Sequence, residues 1–242
     1  MAVAPRQRAA VGAGLRAFLR KPMNVALLVA LPPAVIFMYE LAVDPISAAP
    51  GIDLTPGAAD LGGALFATAF LAGLLGLFQV VGTAQSDRRL VVCGYHPAEV
   101  LLARLLTVLI AGGLVAGITF VTFWVRTDVT PARPLVAFGA LLGAALVYAL
   151  VGVCLGALFG RELEGSLVLV FLADIDSFGS IGVVPTESAV LDYFPLATPH
   201  DMLHEAVYGG TVSGGDVATV LGYAGALAVL GVVLVAHGGD LT

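Results

Sequence analysis

Leu135-Val136-Ala137-Phe138-Gly139-Ala140-Leu141-Leu142-Gly143-Ala144-Ala145-Leu146-Val147-Tyr148-Ala149-Leu150-Val151-Gly152-Val153-Cys154-Leu155-Gly156-Ala157-Leu158-Phe159 runs without a single charged side chain. An α-helix rises about 1.5 Å per residue and the hydrocarbon layer of a bilayer is about 30 Å thick, so roughly 20 apolar residues cross it. This run is long enough, and several others in the chain match it. Over the 242 residues, 59% are hydrophobic and 12% charged, and the mean hydropathy is +1.01, outside the range of soluble domains. The reading is an all-α polytopic membrane protein, one transmembrane domain over residues 1–242, with almost nothing outside the bilayer.

Working outward from that run, six spans are expected, at about 24–43, 61–82, 105–125, 135–159, 166–184 and 217–236. The first contains Pro32 and Pro33, whose freed carbonyls neighbouring helices must satisfy. Before it, residues 1–22 carry Arg6, Arg8, Arg16, Arg20 and Lys21, with Val11, Leu15, Phe18 and Leu19 at helical spacing. They read as an interfacial amphipathic helix or as a basic topogenic tail without fixed structure. With Ser47-Ala48-Ala49 downstream, this start also resembles a cleaved signal peptide, although the apolar run is long for one. Asp44 to Asp60 reads as a polar loop. The fifth span is apolar only as far as Ala173 and then meets Asp174, Asp176, Gly179 and Gly182, so it reads as a broken helix. A polar connection, 184–216, follows, with a helical candidate of its own around His200 to Tyr208. Two small-residue spacings, Gly113 with Gly117 and Gly152 with Gly156 and Gly160, are candidates for close helix approach.

Nine basic residues (Arg6, Arg8, Arg16, Arg20, Lys21, Arg88, Arg89, Arg104, Arg161) fall on one side of this topology and two (Arg126, Arg133) on the other. That bias puts both termini in the cytoplasm of a cell (plasma) membrane protein. A net charge of −6 and a pI near 5.0 argue against a nucleic-acid partner. Cys93 lies in a polar connection and Cys154 in an apolar run, so they sit at different depths and no disulfide is expected. The one lysine, Lys21, is followed by Pro22. A phosphate-cradling loop ending in Gly-Lys-Ser or Gly-Lys-Thr is therefore absent, and any ATP must be hydrolysed by another chain.

The connection between the second and third spans is the most informative segment. Asp87, Arg88 and Arg89 open it, Leu90 to Val92 are apolar, Gly94 and Pro97 break it, and Pro97-Ala98-Glu99-Val100-Leu101-Leu102-Ala103-Arg104-Leu105-Leu106 flows into the third span. It reads as a short helix along the cytoplasmic face, with Pro97 starting the next helix, or as an ordinary amphipathic loop. At these residues the chain resembles the permease subunits of ABC-2 type exporters, whose pattern here is a charged start, a Leu-rich stretch, a turn before Pro, then Glu-x-Leu-Leu-x-Lys/Arg-Leu-Leu. Tyr193-Phe194-Pro195-Leu196-Ala197-Thr198-Pro199-His200-Asp201-Met202-Leu203 looks like that family's Pro-rich re-entrant segment before the last span.

The resemblance implies six spans, an interfacial N-terminal helix and a re-entrant or external helical segment. It implies a transport subunit without catalysis of its own, paired with a second permease as a homo- or heterodimer and with separate ATP-binding subunits that carry ATP and Mg. It implies that 85–102 is the main coupling segment, with Arg88, Arg89, Tyr95, His96, Pro97 and Glu99 as its contact residues, and that Arg161 and Glu162 belong to a second, smaller contact. An ATP-independent channel, carrier or structural membrane component stays open beside this reading.

Two further groups stand out. Asp174 and Asp176 are ionisable residues within a span, where function is the default hypothesis, a substrate pathway here. The alternative is that they mark the wetted outer end of a short span, and an acid-bearing fifth span departs from an apolar pathway. His200 and His204, four apart, share a helix face and are the only candidates for a metal pair. Asp201 stands where a zincin has its Glu and no third ligand is apparent, so no metal is expected and an intramembrane metallopeptidase ranks last.

Overall fold

The computed structural model describes residues 12, 16, 20, 22–47, 54, 57–92, 97–127, 130–182 and 193–238. The expected N-terminal interfacial helix lies almost wholly outside them. Among the described residues there are seven helices and no strand: α1 Pro22–Ser47, α2 Ala58–Val92, α3 Pro97–Arg126, α4 Pro134–Phe159, α5 Glu162–Ser180, α6 Ala197–Tyr208 and α7 Gly214–Gly238.

Local chemistry accounts for most of these bounds. Pro97 and Pro134 open α3 and α4 at positions whose N–H would have no helical partner. Gly160 closes α4 in the left-handed region (φ 62°), its N–H donating to the Gly156 carbonyl at 3.0 Å, and α5 starts two residues later. Nothing between Thr83 and Val92 breaks a helix, and Gln85, Arg88, Arg89 and Leu90 are good helix formers. The first part of the expected polar connection is thus not a separate surface helix but the continuation of α2. At the other end, α1 runs past Pro45 to Ser47 and α2 starts at Ala58, so the expected Asp44–Asp60 loop is shorter than its composition suggests.

The expected break in the fifth span does not occur. Helix α5 passes unbroken through Asp174 and Asp176 and ends at Ser180. The reason is tertiary: Asp176 finds its hydrogen bonds on other helices, described below, and so does not pull the backbone out of the helix.

Among the described residues, Ala58–Thr83, Leu102–Arg126, Pro134–Phe159 and Gly214–Val235 are long and apolar enough to cross a membrane, and the 26-residue α1 includes the apolar stretch Leu28–Val43. Burial ranks them: 67% of the apolar window of α4 lies inside the protein but only 17% of that of α7, which makes α4 the central helix and α7 a peripheral one. Helix α4 packs most intimately on α2, where small residues let the backbones touch. A methyl group added at Gly152 would run into the Gly73 carbonyl, one at Gly76 into the Ala149 carbonyl, and one at Gly156 would lie 3.0 Å from the Leu77 oxygen. Such close approach is the geometry small residues provide in helix packing without a water-driven hydrophobic effect. Gly113 and Gly117 have no such role: the nearest atom to a methyl at Gly113 is Leu142 Cδ1 at 3.7 Å, and Gly117 faces open space. The hydroxyls of Thr68 and Thr107 within the helices, and of Thr127 just past α3, donate to the carbonyls four residues back, at 2.8, 2.8 and 2.7 Å.

Candidate functional site

Two ends of the bundle carry the polar groups that the sequence singles out. At the basic end, α2 outlasts its own apolar stretch. Its 35 residues make a rod about 52 Å long, and the apolar run within it gives way after Gly82 to Thr83, Gln85, Ser86, Asp87, Arg88 and Arg89, so its last ten residues, 83–92, project past that run by about 15 Å. Helix α3 returns from Pro97, with Glu99 in its first turn and Arg104 in its second. Arg88 and Arg89 lie on the projecting turns of α2, Pro97 is the first residue of α3, and Glu99 is half-buried in its first turn. Tyr95 and His96 lie outside the described residues.

The α4–α5 turn comes to the same end. Gly156 packs on Leu77 and Val80 and Gly165 on the Leu77 side chain, which seats the turn against α2 below its projection. Arg161 donates to Glu164 at 2.7 Å on the surface, and this bond and the glutamate charge push the guanidinium pKa further up. Glu162 is exposed at the first position of α5. The folded chain thus brings Arg161 and Glu162 to the end where α2 and α3 project.

At the opposite, acidic end, which carries Asp60, Asp201, Glu205 and Asp216, a buried polar clasp joins five helices. Asp176, with no exposed surface, accepts the hydroxyl of Tyr148 from α4 and, at 3.0 and 3.2 Å, the backbone N–H of Leu196, the residue that precedes α6. One residue on, Ser177 accepts from Tyr39 of α1 at 2.8 Å and donates to the Gly62 carbonyl of α2 at 3.3 Å. Hydrogen bonds to a carboxylate are about twice as strong as those between neutral groups. Asp174, two residues before Asp176, remains partly accessible. The structure therefore separates the two aspartates: Asp176 is engaged in holding helices together, and Asp174 is not in that clasp. Sequence reading missed Tyr39, Tyr148 and Ser177. A tyrosine within an uncharged run is the available signal, since a buried hydroxyl requires a partner.

Helix α6 lies over this end. His200 and His204 do share one of its faces, with ring centroids 6.4 Å apart, and Tyr208 continues the row at 4.8 Å from His204. Two imidazoles on one tetrahedral zinc stand closer, about 5 Å between centroids for Zn–N bonds of about 2.0 Å. Among the described residues no three His, Cys, Asp or Glu side chains gather where they could hold a metal ion.

Among the described residues, four helices of membrane-spanning length and composition describe an integral membrane protein. Comparison decides the family: the family described as "ABC-2 family transporter protein" matches residues 55–237, most of the chain. The chain belongs to the ABC-2 transporter family. No curated protein matches it. As an ABC-2 family member with several membrane-length apolar helices, it is a multi-pass membrane protein of the transport class. The match takes in α2 to α7, and with them the projecting pair and the acidic-end clasp.

Proposed function

We propose that this chain is the membrane-spanning permease of an ATP-binding cassette exporter, contacting a separate ATPase subunit through the projecting α2–α3 pair. The observation that supports it most is the 35-residue length of α2. A helix that only spans needs roughly 20 residues, and one that continues rigidly for two further turns can carry force from a soluble partner into the span it belongs to. In this reading Arg88, Arg89, Tyr95, His96, Pro97 and Glu99 form the main contact, and Arg161 and Glu162 the smaller one. ATP and Mg belong to the partner.

The same reading makes α1, α2, α3, α4, α5 and α7 six spans of a plasma-membrane protein, with both termini cytoplasmic and α6 re-entrant or external. The arrangement is a dimer with a second permease, and the pathway runs outward. Supporting the orientation is the basic bias: Arg88, Arg89, Arg104 and Arg161 share one end, and basic loops stay inside.

The test is co-purification of the full chain with an ATP-binding subunit in mild detergent, comparing wild type with Glu99→Arg and with the pair Arg161→Glu, Glu162→Arg. The wild type is expected to retain the subunit, with the Glu99 variant losing most of it and the turn variant losing less. If the wild type retains none, the exporter reading fails.

A further inference from the structure

Helix α6 is fastened to the acidic end of the bundle at both of its own ends. At its start, the Leu196 N–H bonds to Asp176, which Tyr148 holds in place. At its finish, Ala132 N–H donates to the Val207 carbonyl at 3.3 Å and Arg133 N–H to the Ala206 carbonyl at 2.9 Å, capping carbonyls that the helix itself leaves open. Leu203 and Ala206, on its inward face, are fully buried. Tyr223 of α7 donates to the Tyr193 carbonyl at 2.7 Å, just before the segment turns into α6.

The face that these fastenings press down is poorly satisfied. His200 is 2% exposed, yet both of its ring nitrogens lack a hydrogen-bond partner, as do Nε2 of His204 and Oε2 of Glu205. Asp201 of the same helix lies 3.6 Å from His200 Nδ1, too far for a hydrogen bond. Four buried polar atoms of α6 thus have no hydrogen-bond partner within the protein in this position, an arrangement that costs free energy and that opening would relieve. Beyond α6 the chain leaves through Gly209, in the left-handed region (φ 87°), and Gly210, a pair suited to absorbing a change of direction.

We propose that α6 is a two-position gate, held closed by the Asp176 carboxylate on the Leu196 N–H and biased toward opening by the unpaired polar atoms of His200, His204 and Glu205. That its opening releases cargo on the acidic side rests on the permease reading above. The two sets of residues act in opposite directions, which is what sets a gate apart from an ordinary packed helix. A residue that merely fills the core loosens the protein when it is replaced, whatever the direction of the change. Here, removing the latch frees α6, whereas making its buried face apolar tightens it.

The test is amide hydrogen exchange on the full chain in lipid nanodiscs, read over residues 193–210 with α2 and α4 as internal references. Asp176→Ala is expected to speed exchange from Leu196 to Tyr208 by about tenfold or more while α2 and α4 keep their protection. Tyr148→Phe should have a smaller effect in the same direction, since it removes one of the bonds that orient the carboxylate. Asp176→Asn, which keeps an acceptor for the Leu196 N–H, should restore most of the protection. The double variant His200→Leu, His204→Leu should slow exchange in α6 by about tenfold. Unchanged exchange in Asp176→Ala, a loosening spread equally over α2 and α4, or faster exchange in the double leucine variant would each overturn the proposal. In the assembled complex, a non-hydrolysable ATP analogue should raise α6 exchange in the wild type, and no change there would remove its role as gate. A complex that never assembles counts against the permease reading, while the comparisons on the chain alone still decide the latch.

Discussion

Replacing Gly152 by alanine adds one methyl group where the structure has no room for it. The methyl would run into the Gly73 carbonyl oxygen and also crowd the Gly73 carbonyl carbon, at 2.7 Å, and Cα, at 3.0 Å. All three obstacles are backbone, so no side chain can swing aside, and α2 and α4 must move apart. Overpacking of a well-filled core costs about 1–3 kcal/mol, and a backbone obstacle between the two most buried spans belongs at the upper end. Alanine returns part of this, up to ~1 kcal/mol, as helix propensity. The net expectation is a loss of about 2 kcal/mol, which for a protein of 242 residues lowers Tm by about 4–8 °C. Thermal unfolding of purified protein in mild detergent, followed by the fluorescence of the single tryptophan, Trp124, measures it. Gly117→Ala is the control, because a methyl there meets nothing within 4 Å and should leave Tm unchanged or slightly higher. Equal melting temperatures for the two variants would refute the idea that α2 and α4 meet backbone to backbone.

Gly160→Ala should cost about 1–2 kcal/mol for a reason unrelated to packing. Nothing lies within 4 Å of the added methyl, but φ is 62°, where an L side chain collides with its own carbonyl. Gly139→Ala, in the interior of α4 and equally open, should show no such loss in the same melting assay. Tyr39→Phe removes the 2.8 Å bond to Ser177 and should cost about 1 kcal/mol, whereas Ser177→Ala strands the buried Tyr39 hydroxyl and should cost more, up to ~3 kcal/mol. The reverse order of these two melting temperatures would mean that Ser177 is not the hydroxyl's partner.

Helices set by local signals were legible before the fold was known. Pro134 and Gly160 bracket an uncharged run, and the helix between them is α4. Pro97 marks the start of α3 in the same way. The polar stretch after Thr83 reads in sequence as a separate short surface helix or a loop, whereas it continues the preceding span as one helix, because its residues are good helix formers and no Gly or Pro interrupts them before Gly94. In α5 the reverse holds: two aspartates followed by Gly179 and Gly182 read as a break, yet the helix continues to Ser180. Whether a carboxylate breaks a buried helix depends on what stands opposite it, and Tyr148 and the Leu196 N–H are not adjacent in sequence to Asp176. Gly152 and Gly156 were visible as a small-residue spacing, but their partners Gly73, Gly76 and Leu77 were not. With 30 glycines in the chain, spacing alone could not tell that seam from Gly117, which meets nothing.

By itself, then, the sequence determined the solvent of this protein, its helical class and the ends of several helices. It also pointed to the ABC-2 family through residues 97–106. Each of these is a local property, set by the length of an apolar run, a proline or a glycine, or a short motif. Only the tertiary structure decided which helix is central, where two backbones touch and which polar group completes another. Tyr39 and Ser177 are 138 residues apart in the chain and 2.8 Å apart in space. Inside an apolar bundle a buried polar group must find its partner on whichever helix packs against it, and that choice is made by packing, which no single stretch of sequence contains.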